Sequence, residues 1–455
     1  NYAVAALLGD RVFARVANLS TGTTGTVGYS WPMTYLPPRK LAPPEKKAPE
    51  GAIGDAIEHI ENALVGNGLE DVQVTATLFG DSTELSTAYD DRCFTVNQLD
   101  GLSDVLKVMA ENAPPNTSAL VVRLRRRALV MAEYRVPLET YRRYTAGEAT
   151  AADIREASEV TLLPPTGGMR GPQQETAVEN TSFGHVDVLL SPGFRTIVGT
   201  EDSVLRFGAF GRVEAVAQLG RGLQGQARWR YPIAGELVRN EPDRWESDRA
   251  LVSYAFSPRP RWLAQVIGGR FSDAGDGVAM ELLRPLSTRS LFHAVVADID
   301  NDRLDKRLYW LLEYWRFIPQ WKLQARLFGG RFLSADTGAG IDLVRGFGAF
   351  ELCVGVRDTS TSRLVQVTLG IPLSPRRQPQ KPSRVRVRLD DYIDYQLRSI
   401  IEGVNYLYLE KVTARELSLG PDLRSTFLNR YRFVPESGYW PGQGTGSAAK
   451  EVTNR

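Results

Sequence analysis

Every second residue changes character over 204–231. Arg206, Arg212, Glu214 and Gln218 share one phase, against Leu205, Phe207, Ala209, Val213, Ala215, Ala217 and Leu219 in the other. After Gly220-Arg221-Gly222 the alternation resumes, with Gln224, Gln226, Arg228 and Arg230 set against Leu223, Ala227, Trp229 and Tyr231. Successive side chains of a strand point to opposite faces, so this is a hairpin with one charged face and one apolar face. Similar segments continue to residue 373, among them Lys322, Gln324 and Arg326 against Leu323, Ala325 and Leu327. Two folds write this pattern: a soluble β-sandwich with its apolar face inward, and a transmembrane antiparallel β-barrel with its apolar face in lipid and a polar lumen.

Aromatic placement favours the barrel. Trp229, Tyr231, Trp245, Tyr254, Trp262, Trp310, Tyr314, Trp315 and Trp321 stand near the ends of alternating segments or beside turns. Membrane barrels carry aromatic girdles at both interfaces. The apolar phase is also rich in small residues (Ala209, Ala215, Ala217, Gly268, Gly329). These suit fluid lipid better than a sandwich core, which must be filled at high density. The connections 233–247 and 299–306 have the length of extracellular loops. No segment approaches the roughly 18 apolar residues of a helical membrane span; barrel strands need only about 9–11 residues each.

The rest of the chain divides by pattern. Residues 1–36 read as two or three barrel strands (2–8, 11–19 and 24–29), and 36–49 is a Pro- and Lys-rich linker. The period changes in 51–162. Ile53, Ile57, Ile60, Ala63 and Leu64 recur at helical spacing up to Gly66-Asn67-Gly68. Leu102, Val105, Leu106 and Met109 do the same in a second helix over 99–112. Each helix precedes two strand-like segments, 72–79 and 83–89, then 119–126 and 129–136. The order αββαββ describes an α+β domain with an internal duplication, and a short helix over 149–158 follows. A polar linker over 163–183 leads to a C-terminal barrel part, 184–433, with about ten or eleven strands before residue 373. Within it 384–433 fits either more strands or a helix between strands, and 434–455 reads as a flexible tail. No leader segment precedes the first strands, so the chain reads as a mature form or a fragment of something longer.

Little in the sequence points to catalysis. With 55 basic and 53 acidic residues the net charge is +2, which gives no field for nucleic acid. Cys93 and Cys353 have no spacing motif and read as free, buried thiols. His59, His185 and His293 lack partners at ligand or triad spacing, so neither a metal site nor any cofactor is expected. The run Asp298-Ile299-Asp300-Asn301-Asp302 lacks the glycine and distal glutamate of a calcium loop and reads as an acidic hairpin loop. Arg123, Arg125, Arg126 and Arg127 form a basic hairpin tip, read as a solvated turn or as a docking point for an acidic partner or a glycan. The row Arg206, Arg212, Glu214, Gln218, Gln224, Gln226, Arg228 and Arg230, with Lys322, Gln324 and Arg326, has the donors and acceptors to line a lumen and contact sugars. These charges would equally serve as paired filling. A weaker third reading makes the chain a polysaccharide-modifying enzyme acting through carboxylates such as Glu214 and Glu281.

Three segments carry a family resemblance: VLRFGAFGRVEAVAQLGRGLQGQARWRYPI, VIGGRFSDAGDGVAMELLRPL and AVVADIDNDRLDKRLYWLLEYWRF. They are similar to the YjbH family of exopolysaccharide-biosynthesis outer-membrane proteins in a glycine-rich strand, a strand ending in a basic-Pro turn, and an aspartate-rich loop before an aromatic strand. The stretch IEHIENALVGNGLEDVQVTATLFGDSTELSTAYDD and the later LSDVLKVMAENAPPNTSALVVRLRRRALVMAEYRVPL resemble the family's α+β module. The resemblance implies a Gram-negative outer-membrane barrel of a polysaccharide secretion system, with residues 51–162 as an inserted periplasmic domain. It also implies a periplasmic polysaccharide-export protein as partner, and more strands before residues 1–36. The expected action is passive: the barrel passes the polymer or forms the pore for its exporter. The alternative from a different class is a soluble periplasmic glycan-binding or scaffold protein.

Overall fold

A computed structural model of the chain describes residues 2–7, 12–19, 22–29, 53–94, 101–164, 173–175, 181–200, 203–238, 243–271, 275–287, 289–300, 308–318, 321, 323–332, 336–347, 350–373 and 384–403. The protein is mainly β, in three sheets. The first is an antiparallel meander of β1 (Tyr2–Leu7), β2 (Val12–Leu19) and β3 (Gly22–Tyr29). Expected as strands of the large barrel sheet, these three pair with one another and with no strand of that sheet among the described residues. Their short connections make pairing with the chain neighbour the first available partner.

The second unit follows the helix-strand-strand order twice. Helix α1 (Ile53–Gly66) leads into β4 (Glu70–Phe79) and β5 (Ser82–Asp90); α2 (Leu102–Glu111) leads into β6 (Thr117–Arg126) and β7 (Leu129–Pro137). Helices α3 (Leu138–Thr145) and α4 (Ala151–Ala157) and the strands β8 (Glu159–Leu162) and β9 (Gln173–Glu175) complete it. The sheet order is β8-β7-β6-β5-β4-β9, with β5 and β6 parallel. A parallel pair needs a crossover, and α2 supplies it, so the two αββ units lie side by side. The 3.6-residue spacing read in the sequence becomes the core. Ile57, Ile60 and Leu64 of α1 and Leu102, Val105, Leu106 and Met109 of α2 bury against Val72, Val74, Leu85, Leu120, Val122 and Tyr134.

Helix α4 starts in a capping box. Asp153 N–H donates to Thr150 Oγ1 (3.2 Å) while Thr150 N–H donates to the Asp153 carboxylate (2.7 Å). Two orphan amides are thus satisfied reciprocally. Thr150→Ala is expected to cost about 1 kcal/mol, read as a lowered urea midpoint at unchanged slope.

The third sheet has 14 strands. Strands β10 (Val186–Thr200), β11 (Ser203–Gln218), β12 (Leu223–Ala234) and β13 (Glu246–Phe256) run antiparallel in chain order. They continue into β14 (Leu263–Phe271), β15 (Gly275–Ser287), β16 (Ser290–Asp300) and β17 (Leu308–Ile318). After these come β18 (Leu323–Arg331), β19 (Thr337–Phe347), β20 (Phe350–Thr359) and β21 (Ser362–Pro372). Of the segment 384–433 that the sequence left open, the described residues 384–403 form strands β22 (Val385–Leu389) and β23 (Tyr392–Gly403), and the rest lies outside the described residues. Twelve strands, not ten or eleven, precede residue 373. The extra ones hide behind the two-residue connections after Thr200, Ser287 and Phe347.

Strand β10 has several partners in this sheet. β23 lies antiparallel beside β21. β10, already paired with β11, runs parallel to β22 from Val186 opposite Val385 to Leu190 opposite Leu389, and meets β23 at Val198 opposite Ser399. The tail expected at 434–455 lies outside the described residues.

Candidate functional site

The large sheet buries the phase in which charges sit and exposes the other. Gln265 and Glu281 are 0% exposed, whereas Val252, Val278 and Val296 on neighbouring strands are 52%, 58% and 44% exposed. Leu312, Leu327, Ile341, Val354 and Val367 carry the exposed apolar surface onward to β21. A core of a water-soluble sandwich has the reverse polarity.

The buried face is layered along the strands. Toward the end where β14 begins, Ala255, Leu263, Leu283 and Leu291 form an apolar cluster. Toward the opposite end, Ile267, Phe271, Ile299, Tyr309, Leu311, Phe328 and Phe332 form another. Between them runs a chain of charges from strand to strand. His293 Nε2 meets Glu281 (2.9 Å) and its Nδ1 meets Glu313 (2.9 Å). Glu313 also accepts from Trp315 Nε1 (2.9 Å) and from Arg326. Arg326 reaches Asp342 (2.7 Å), and Asp342 stands 3.6 Å from Arg357. Each charge lies between groups of opposite sign, the condition under which ionised groups tolerate burial. On the described strands the buried face is thus a polar belt between two apolar layers.

The candidates read from the sequence are on the buried face, at different heights. Glu214, Gln224, Gln226, Arg228 and Gln324 are buried, and Arg212 and Gln218 half-buried. Arg228 pairs with Asp248 (2.5 Å), which also stands 4.0 Å from Arg230. Glu214 lies directly opposite Arg228 in register, and Arg212 lies over the Phe210 ring at 4.5 Å. Arg206, near the far rim, meets Glu236 at 3.4 Å. Lys322 lies outside the described residues. Trp315, read as a girdle residue, turns inward beneath Arg326 at 5.3 Å, while Trp229, Trp245, Trp310, Trp321 and Tyr254 are exposed.

Asp248, Glu313, Asp342 and Arg357 were missed. Glu313, for example, stands in the largely apolar strand LYWLLEYWRFI. The usable signal was that such charges recur in the buried phase on successive strands.

The basic tip is not a solvated turn. Arg127 is buried, and Arg127 and Ala128 have φ of 54° and 64°. A two-residue hairpin turn demands positive φ at both positions, which suits Asn-Gly and strains Arg-Ala by about 1–2 kcal/mol per residue. Contacts across the two units hold it. Arg127 N–H donates to Asp90 Oδ2 (3.0 Å), its Nη1 donates to Gln265 Oε1 (3.2 Å), and Gly222 N–H donates to its carbonyl (3.0 Å). Gly222 takes this position at φ 71°, where an added Cβ would meet Ala255 O at 2.2 Å. Met131 and Leu163 of the α+β unit join the Ala255–Leu291 apolar cluster. Arg123 pairs with Glu133 (2.6 Å) and Arg125 donates to Gln73 (2.9 Å), so these arginines are engaged within the chain. Burial raises the Asp90 carboxyl to about 6, against the pull of Arg126 and with a further push from Asp71 and Glu70.

A second junction lies where β10 and β22 run parallel. Asp187 accepts from Arg386 through both oxygens (2.8 and 2.6 Å) and from Arg92 of the α+β unit. Arg92 pairs with Glu70 (3.0 Å), which His185 also contacts (3.0 Å). Burial works against the Arg92 guanidinium, but Asp187 and Glu70 outweigh it and hold its pKa above the ordinary value. Among the described residues no cluster of histidine, cysteine and carboxylates suits a metal ion, and Cys93 and Cys353 form no disulfide, the first being buried and the second only half-buried. Glu281 is enclosed and held by His293, so no substrate reaches it in this conformation. No family model matches the chain, and no curated protein matches it.

Proposed function

We propose that β10–β21 and β23 close into a β-barrel in a Gram-negative outer membrane, and that the chain serves polysaccharide secretion there in a closed conformation. The observation that carries the membrane reading is the inverted wall. Apolar side chains are exposed on strand after strand from β13 to β22, while ionised groups are buried behind them. Contiguous apolar surface of this extent is unstable in water and stable in lipid. Exposed Trp245, Trp310 and Trp321 at or near strand ends suit the two interfaces, while exposed Trp229 lies mid-strand in β12.

The secretion role rests on the family resemblance. The α+β unit then stands in the periplasm at the barrel mouth, where the exposed side of α1 (Asp55, Glu58, His59) is available to a periplasmic export protein. The packed layers indicate a resting state through which no polymer threads.

Fractionation tests this reading. The chain is expected to need detergent for extraction, to migrate faster unheated than boiled, and to carry almost no current in planar bilayers. Release with the soluble periplasm would overturn the barrel and favour the soluble glycan-binding alternative. A large, steady conductance would leave the barrel standing and overturn the closed state.

A further inference from the structure

The buried wall carries both charged and neutral polar groups. From β15 to β20 the charges are consumed by one another, through Glu281, His293, Glu313, Arg326, Asp342 and Arg357. On β12, Arg228 faces Glu214 in register and pairs with Asp248. Beside these lies a strip of neutral amides and one hydroxyl. Gln224 stands opposite Ser253 in register, with Gln226 two residues further along β12 and Gln265 one strand beyond Ser253. All four are buried, at 3%, 1%, 4% and 0% exposure respectively. Both amide atoms of Gln226, Oε1 of Gln224, Oγ of Ser253 and Nε2 of Gln265 have no hydrogen-bond partner among the described residues.

Buried amides and hydroxyls require partners. These offer both donors and acceptors and carry no charge. A sugar hydroxyl also donates and accepts, and it brings no charge into the low-dielectric interior. A carboxylated or sulfated sugar would bring an ionised group into the same interior, at a high desolvation cost. We infer that Gln224, Gln226, Ser253 and Gln265 form a subsite for an uncharged, hydroxyl-rich ligand, a neutral glycan segment. This rests on the reading of the chain as a polysaccharide-handling barrel and narrows its substrate class. The subsite opens toward the α+β unit, and the Arg127 guanidinium on Gln265 stoppers it. A glycan therefore enters when the hairpin tip withdraws.

The test uses the full chain, purified in detergent, with the tip loosened by Arg127→Ala. Binding of maltoheptaose, a neutral probe, and of an oligogalacturonate of equal length is measured by equilibrium dialysis. Maltoheptaose is expected to bind Arg127→Ala at least tenfold more tightly than the oligogalacturonate, and more tightly than it binds the unaltered chain. Adding Gln226→Leu, or Gln224→Met where the first variant does not fold, is expected to weaken maltoheptaose at least tenfold. Equal or tighter binding of the oligogalacturonate overturns the inference. So does maltoheptaose binding that neither substitution moves, or no binding by protein that still migrates faster unheated. Loss of that migration in the unaltered chain sinks the barrel reading instead, so the two failures are distinguishable.

Discussion

Glu313→Ala is expected to destabilise the large sheet by about 3–5 kcal/mol, the cost of stripping the partner from a buried charge. Glu313 alone links His293 (2.9 Å), Trp315 Nε1 (2.9 Å) and Arg326. Its removal leaves Arg326 with Asp342, His293 with Glu281, and the indole N–H without its acceptor. Unlike a surface pair, worth at most about 1 kcal/mol, this set has no water to replace the lost contact. The readout is the temperature at which the compact, unheated gel form is lost, together with the urea midpoint in detergent. Glu313→Gln keeps the shape and one acceptor and is expected to fall between Ala and the unaltered chain. A loss below about 1 kcal/mol for Glu313→Ala would show that the charge chain is not closed as described.

The second large effect is a pH dependence centred on Asp90. Its carboxyl is raised from 3.8 to about 6 in the folded state. The native state therefore holds this proton to higher pH than the unfolded chain does. Stability from this group is present below the unfolded pKa and falls as pH rises through the folded one. The deficit levels off above about pH 6 at up to about 3 kcal/mol. Asn stays neutral and its amide oxygen still accepts from Arg127 N–H, so Asp90→Asn removes the charge and keeps the anchor of the tip. The variant is expected to gain on the unaltered chain between pH 4 and pH 7 by up to that amount, read from denaturant midpoints at both values. Parallel behaviour of the two chains across that range would refute a buried, raised Asp90. Arg126, Arg92, Asp71 and Glu70 are the charged neighbours whose own substitution would move the transition.

Legibility in the sequence followed the range of the forces involved. Helix periodicity is local, so Ile57, Ile60 and Leu64, or Val105, Leu106 and Met109, announced their buried faces without help from the rest of the chain. The αββ order was equally plain, because hairpins join neighbours in sequence. Arg127 was misread because what meets a hairpin tip is not local: its contact with Gln265 spans 138 residues. Glu281, His293 and Glu313 were dispersed for a related reason. They sit on three successive strands, and only the register of β15, β16 and β17 brings them to one height.

The alternation over 204–231 shows the division most clearly. The sequence by itself determined that each strand has two faces of opposite polarity, since side chains alternate whatever surrounds them. It did not determine which face is enclosed, because a period-two pattern is unchanged when inside and outside are exchanged. The tertiary structure decided that, by laying β10 against β11 on one side and against β22 on the other, where Asp187 meets Arg386 across 199 residues. Arg228 and its row then fall inside with their counter-charges, and the apolar row falls outside.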